Sequence, residues 1–172
     1  MAKRKRIIIS LVLIGICLAA LSLVTSYPIV FQSSNRALVK RHYDSSVFNP
    51  LREMKLDEGD WSIYLLIDKS DFEKLTPELK PCKVSKVTSR SVLEQLQNAW
   101  NFKPTGGDVA TASSSLVVVL DGQVIFETGV VLDENMVGFQ SEDFGWAEPI
   151  DKKKFVETLK KFKEVQSPLI FI

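Results

Sequence analysis

The chain of 172 residues has an ordinary globular composition, with 22 lysine and arginine residues, 21 aspartate and glutamate residues and a formal net charge of +1. Apolar residues make up 45% and charged residues 25%, close to the average of globular domains. These values exclude a collagen, a low-complexity disordered chain, a disulfide-dense miniprotein and a histone-like basic protein. The length allows one domain with an appendage.

The N-terminus carries an export or anchor signal. Residues 1–6 contain four basic residues, and residues 7–24 form an apolar run of eighteen residues. A helix of that length spans about 27 Å, close to the thickness of the hydrocarbon core of a bilayer. Because basic flanking residues stay in the cytoplasm, the sequence predicts that the remainder of the chain is translocated.

Two fates of this signal stay open. A cleaved signal peptide has an apolar region of about 7–15 residues, so the longer run favours a retained single-span anchor. Cleavage near Ser26 is the alternative, and it would release a secreted protein that begins at Tyr27. The sequence has no Asn-x-Ser/Thr sequon and only Cys82 as a cysteine outside the span, which favours a bacterial periplasm over a secretory lumen. We expect a bacterial inner-membrane protein whose domain lies in the periplasm.

The chain is therefore predicted to have four parts. They are a cytoplasmic basic tip at 1–6, a transmembrane anchor or uncleaved signal at 7–24, a linker at 25–34 and an extracytoplasmic α/β domain at 35–172. The domain is long enough to form one hydrophobic core.

Strands and helices alternate along the predicted domain. Residues 61–67 and 82–88 are expected to be strands because β-branched and aromatic residues are frequent there. Ser70 and Ser91 are each followed three residues later by glutamate, which predicts two helices opened by capping boxes. Asp151 is the predicted cap of a final helix.

The strongest local signal is a hairpin. Apolar runs at 116–120 and 123–131 flank Asp121-Gly122, a pair that accepts the positive φ angles of a type I′ turn. The first run has no polar alternation, which predicts a strand covered on both faces.

The order of these elements over about residues 61–165 resembles the thioredoxin-like fold. The resemblance implies a mixed sheet with flanking helices, in which a βαβ half is followed by a helix, an antiparallel hairpin and a C-terminal helix. Lys69-Ser70-Asp71-Phe72 stands where that family has its Cys-x-x-Cys site, and Ser113-Ser114-Ser115 stands where it has its cis-proline. The redox chemistry of the family is therefore not expected here. The alternative fold is α+β, with an antiparallel sheet covered by helices on one face.

Catalytic and metal-binding patterns are scarce. The sole histidine, His42, lies beside two basic residues without a nucleophile motif, and one histidine with one exported cysteine does not make a zinc site. The sequence Thr105-Gly106-Gly107-Asp108 lacks the Lys-Ser/Thr pair of a phosphate loop. We expect no metal, no cofactor and no nucleic-acid partner, and a binding role rather than an enzymatic one.

Charge is distributed unevenly. Residues 104–151 contain nine acidic residues and no lysine or arginine. Within them, residues 133–149 form a seventeen-residue connection, a length that is uncommon for a loop and often functional. Acidic residues beside aromatic ones are typical of protein-binding surfaces, where aromatic side chains anchor and charge steers the partner. The predicted partner-binding residues are Asp133, Glu134, Glu142, Asp143, Phe144, Trp146 and Glu148.

These observations lead to a membrane-anchored, extracytoplasmic, non-catalytic protein-binding domain with a basic protein partner. An inhibitor or immunity-type protein and an envelope accessory protein are both compatible with this expectation. The competing interpretations of 133–149 are that its aromatic side chains cover the core while its acids are solvated, or that Met136-Val137-Gly138-Phe139 is one more edge strand. A second functional hypothesis is a thioredoxin-like redox protein that uses the single thiol Cys82, whose lysine neighbours can activate it. The apolar residues 168–172 either dock in a partner or add to a sheet.

Overall fold

The computed structural model describes residues 2–25, 27–32, 47–79, 82–107 and 111–172. The chain forms two compact units. The first comprises Met1–Ser34 and Gln166–Ile172, and the second comprises Asn35–Val165.

The first unit contains the apolar N-terminal helix, α1 (Ala2–Thr25). Among the described residues, Arg4–Val24 is the one helical segment long and apolar enough to cross a membrane, a property that N-terminal signal sequences share. After α1, strand β1 (Ile29–Phe31) pairs in parallel with strand β10 (Leu169–Phe171). The apolar C-terminus therefore adds to a strand, one of the two roles expected for it.

The second unit is built on an eight-stranded sheet. Its strands are β2 (Trp61–Leu66), β3 (Val84–Val87), β4 (Phe102–Pro104), β5 (Ser114–Leu120), β6 (Gln123–Leu132), β7 (Val137–Ser141), β8 (Gly145–Pro149) and β9 (Lys163–Glu164). The strand order is β4-β8-β7-β6-β5-β2-β3-β9, and every neighbouring pair is antiparallel. Helices α2 (Arg90–Ala99) and α3 (Lys152–Leu159) complete a mixed α/β unit.

The thioredoxin-like topology is not confirmed. A βαβ half requires two parallel strands joined by a crossover helix, whereas β2 and β3 are antiparallel, with Tyr64 opposite Lys86. Among the described residues between them, one short 3-10 helix forms at Phe72–Lys74, and no crossover helix occurs in this described part of the chain. A large antiparallel sheet with helices packed on it agrees instead with the α+β alternative.

Trp100, directly after α2, lies at the centre of the core. Its fully buried ring has its centroid 5.2 Å from that of Phe155 in α3 and 5.9 Å from that of Phe139 in β7. The indole N–H donates a 2.7 Å hydrogen bond to the Thr158 hydroxyl, which in turn donates to the Phe155 carbonyl at 2.6 Å. One side chain thus joins both helices to the sheet.

The predicted hairpin is confirmed. β5 and β6 are joined by Asp121 and Gly122, whose φ angles of 49° and 76° are those that a type I′ turn requires. Asp121 also accepts a 2.7 Å hydrogen bond from the Asp60 N–H, which ties the turn to the start of β2. The four residues Leu116 to Val119 are all buried, as the lack of polar alternation predicts.

One of the three predicted helix caps is confirmed. The Asp151 carboxylate accepts from the Lys154 N–H at 2.9 Å and caps α3. Ser91 instead lies inside α2, which begins one residue earlier. The Ser70 hydroxyl donates to the Asp68 carboxylate at 2.7 Å and is therefore not used as a helix cap.

The expectation of a long loop at 133–149 is wrong. The segment forms β7 and β8, which pair with Phe139 opposite Ala147. Phe139 and Ala147 point into the core, and Gly145, with a φ angle of 67°, permits the tight turn between the strands. β4, which lacks a clear pattern of its own, extends this part of the sheet as an edge strand.

The central hydrogen bond gives a stability prediction. Thr158→Val keeps the shape of the side chain but leaves the buried indole N–H without its acceptor, so the free energy of unfolding should fall by about 1–3 kcal/mol. Thr158→Ser keeps the hydroxyl and is the matched control. Urea denaturation followed by tryptophan fluorescence compares the two variants. Equal stability of both would contradict the role assigned to this hydrogen bond.

Candidate functional site

The acidic residues predicted to bind a partner lie at both ends of β7. Glu134, Glu142, Asp143 and Glu148 are exposed, and Asp133 is half-buried. Because a strand rises about 3.4 Å per residue, the two ends of this five-residue strand are about 14 Å apart. The structure therefore divides the predicted set into two groups rather than bringing it together.

The two aromatic residues of the predicted set are buried. Phe144 is 7% exposed, and its ring centroid lies 5.0 Å from that of Phe48. Trp146 is 2% exposed and lies against Gly138, where an added Cβ would come within 2.8 Å of the indole ring. Neither side chain can anchor a partner in this conformation, because the domain itself already surrounds both.

At one end of β7 the acidic groups have local structural partners or nearby cations. The Asp133 carboxylate accepts hydrogen bonds from two backbone N–H groups of its own turn. Glu148 accepts a 3.0 Å hydrogen bond from the Trp146 indole and lies opposite Lys103 on β4. The Lys152 ammonium donates to the Glu134 carbonyl at 3.3 Å. The negative charge at this end is therefore partly compensated.

At the other end, the turn Ser141–Gly145 presents two uncompensated carboxylates. Glu142 and Asp143 are exposed, and neither forms an ion pair within the described ranges. The Ser141 hydroxyl accepts a 3.0 Å hydrogen bond from the Asp143 N–H, which holds the turn in shape. We call this turn, residues 141–145, the acidic turn.

A depression of about 570 Å³ adjoins the acidic turn. Its lining residues include Gly107, Gly129, Gln140 and Glu142. The Gln140 side-chain oxygen is buried and has no hydrogen-bond partner among the described residues. A buried acceptor without a donor is unfavourable, and this oxygen can accept from a group in the depression once the Gln140 side chain turns toward it.

A segment before β5 forms one wall of the depression. The Thr105 N–H donates to the Trp146 carbonyl at 2.9 Å, and the Trp146 N–H donates to the Gly107 carbonyl at 3.1 Å. This close approach depends on Gly145, because a Cβ there would lie 2.8 Å from the Gly107 oxygen. The segment Thr105-Gly106-Gly107 therefore has a structural role, because its backbone is hydrogen-bonded to β8 at Trp146. We call this segment the strap.

Cys82 lies apart from the acidic turn. It is half-buried, lies two residues before the first residue of β3 and lines a separate pocket of about 140 Å³. The chain's other cysteine, Cys17, lies in α1. His42 falls outside the described residues.

Asp68, Ser70, Asp71 and Ser114 form a small polar cluster. The Ser114 hydroxyl donates to the Asp71 carboxylate at 2.8 Å and accepts from the Asp68 N–H at 3.0 Å. The hydroxyl and the N–H of Ser70 both donate to Asp68, and these bonds lower the pKa of its carboxyl group. The bonds of Asp68 and Asp71 to Ser114 tie this loop to the start of β5, and the Ser70 bonds order the loop itself, so the cluster has a clear structural role. No group of three or more potential metal ligands occurs among the described residues.

Sequence reasoning missed Gln140 and its depression. Gln140 sits in a segment that was expected to be a loop, and the burial of its oxygen depends on the pairing of β7 with β6. No local signal in the sequence identifies it.

Comparisons with protein-family models, with curated proteins and with solved structures found no match to this chain. The functional argument therefore rests on the site itself.

The packing of Trp146 gives a second prediction. Gly138→Ala places a Cβ 2.4 Å from the Ala147 carbonyl oxygen and against the indole, so the free energy of unfolding should fall by about 1–3 kcal/mol. Gly15→Ala is the control, because nothing lies within 4 Å of a Cβ at that position. Thermal and urea unfolding of both variants give the comparison. If Gly138→Ala is as stable as the control, the close packing of Trp146 and Ala147 against position 138 does not require glycine there.

Proposed function

We propose that this chain is a membrane-anchored, non-catalytic protein-binding domain that uses the acidic turn and its adjoining depression to hold a basic side chain of a protein partner. The observation that carries the proposal is the pairing of two uncompensated, exposed carboxylates with a buried acceptor oxygen at Gln140. The charge of a lysine or arginine head group is attracted by Glu142 and Asp143, and once the Gln140 side chain turns toward the depression the head group supplies the donors that its oxygen lacks.

The charge distribution supports a basic partner. The 48 residues from Pro104 to Asp151 contain no lysine or arginine, so the strands around the depression bring no cation of their own. Exposed charges of one sign accelerate the encounter with an oppositely charged surface and reject partners of like charge. The strap and the turn hold the site in a preformed shape, which lowers the entropic cost of binding.

The apolar α1 supports attachment to a membrane. Its length suits a bilayer span, and the basic residues before it favour a cytoplasmic N-terminus. We propose that the domain lies in the periplasm of a bacterium, tethered to the inner membrane, with release by cleavage near Ser26 as the alternative. An inhibitor or immunity-type protein and an envelope accessory subunit both fit a tethered domain with one charged binding surface. The redox hypothesis based on Cys82 stays a prediction.

The test neutralises the acidic turn without changing its shape. Glu142→Gln with Asp143→Asn removes two charges, and Glu53→Gln with Asp57→Asn removes the same two charges from another exposed region as a matched control. Tagged full-length chains are cross-linked in native membranes and purified at low and high salt, with circular dichroism as a check on folding. The turn variant should capture at least about tenfold less partner than the unaltered chain, because each hydrogen bond to a charged group contributes about 1.5–3 kcal/mol. The control variant should capture as much partner as the unaltered chain.

Unchanged capture by the turn variant would contradict the proposal, as would an equal loss in both variants. The N-terminus of the purified chain is sequenced in the same sample. Recovery of Met1 or Ala2 in the membrane fraction supports the anchor, and recovery of a chain that begins at Tyr27 supports secretion.

A further inference from the structure

The pocket that Cys82 lines is mainly apolar and lies between the sheet and the end of α3. Its walls are formed mainly by buried aliphatic and aromatic side chains from β2, from the end of β6 and from α3 with the residues that follow it. They include Leu65, Ile67, Leu132, Leu159 and Phe162. This pocket takes no part in the proposed protein-binding function.

Ser85 is one of the polar residues that line this pocket, together with Glu78, Cys82 and Lys160. It lies on β3 directly opposite Leu65 of β2, so its side chain points to the same face of the sheet as that leucine. It is only 4% exposed, and its hydroxyl forms no hydrogen bond within the part of the chain that the structure describes. Because this hydroxyl is open to the pocket rather than sealed in the core, a guest in the pocket can form a hydrogen bond with it.

The size of the pocket limits the guest. Its volume of about 140 Å³ matches one small ring, since apolar cavities of about 150 Å³ stay dry and bind benzene. A nucleotide, a sugar chain or a fatty acid does not fit within this volume. The mainly apolar lining favours a guest with few polar groups, because a polar group buried against the leucines would have no partner.

The mouth of the pocket is lined by side chains that can move. Leu75 and Leu79 are half-buried, and the exposed carboxylate of Glu78 lies 3.7 Å from the Lys160 ammonium. An exposed ion pair of this kind contributes little to stability and opens readily. A small molecule can therefore enter without unfolding of the core.

We propose that this pocket binds a small, ring-sized apolar molecule with one hydroxyl group, whose ring lies among the leucines and whose hydroxyl group hydrogen-bonds to Ser85. Phenol is the simplest member of this class and serves as the probe. Benzene has the same ring without the hydroxyl group and tests the hydrogen bond by comparison.

Cys82 provides a readout at the pocket itself, because it is one of the lining residues. The full-length chain in detergent is treated with iodoacetamide at increasing phenol concentrations, and mass spectrometry measures alkylation of the peptide that contains Cys82. Cys17, in α1, reports any general effect of phenol on the reagent or the detergent. A bound ring should slow alkylation of Cys82 relative to that of Cys17.

Three variants distinguish the contribution of the pocket volume to probe binding from the contribution of the Ser85 hydrogen bond. Ser85→Ala should raise the half-protecting phenol concentration about three- to tenfold and leave that of benzene nearly unchanged, because one neutral hydrogen bond is lost. Ser62→Ala is the matched control: this serine is also buried, but it lies on the other face of β2. Ser85→Leu fills the pocket and should abolish protection by both probes, with thermal unfolding as the check that the chain is folded.

The proposal is overturned if phenol gives no protection of Cys82, if protection persists in Ser85→Leu, or if Ser85→Ala and Ser62→Ala respond alike to phenol. Partition of the probes into detergent is the same for all variants and cancels in these comparisons. The outcome is independent of partner capture at the acidic turn, so either proposal can fail without the other.

Discussion

The burial of the Trp100 indole is the interaction on which the rest of the second unit depends. Its ring contacts Phe139 in β7 and Phe155 in α3, and its N–H group is satisfied by Thr158. Aromatic contacts and buried hydrogen bonds are both directional, so this single side chain sets the position of α3 and of β7 together. Both proposed binding regions depend on those positions: α3 contributes Leu159 to the apolar pocket, and β7 leads directly into the acidic turn.

Local sequence signals predicted local structure well. The type I′ turn at Asp121-Gly122 and the cap at Asp151 depend on neighbouring residues only, and both are confirmed. Whether two consecutive strands are parallel or antiparallel depends on the secondary structure of the segment that connects them. The described residues between β2 and β3 form a short 3-10 helix rather than a crossover helix, and the two strands are antiparallel. The resemblance to the thioredoxin-like fold was based on the order of strands and helices along the chain. That order carries no information on strand direction.

The candidate site was predicted only in part. The acidic content of 133–149 is visible in the sequence, and its carboxylates are largely exposed as expected of a charged surface. The positions of Phe144 and Trp146 inside the domain follow from the pairing of β7 with β8, which the expected loop did not include. Gln140 and Ser85 could not be identified from sequence, because the burial of the Gln140 oxygen and the position of Ser85 in a pocket both depend on long-range neighbours. The two regions differ in chemistry: the acidic turn is open and charged, whereas the pocket at Ser85 is small and apolar.

The central claim is that a protein partner contacts the acidic turn. The most direct measurement is site-specific photocross-linking in native membranes, with the photoreactive residue at position 143 so that Glu142 and the depression are retained, and at position 57 for comparison. The account predicts one cross-linked partner from position 143, lost at high salt, and no such product from position 57. The same product from both positions, or none from position 143, would contradict it.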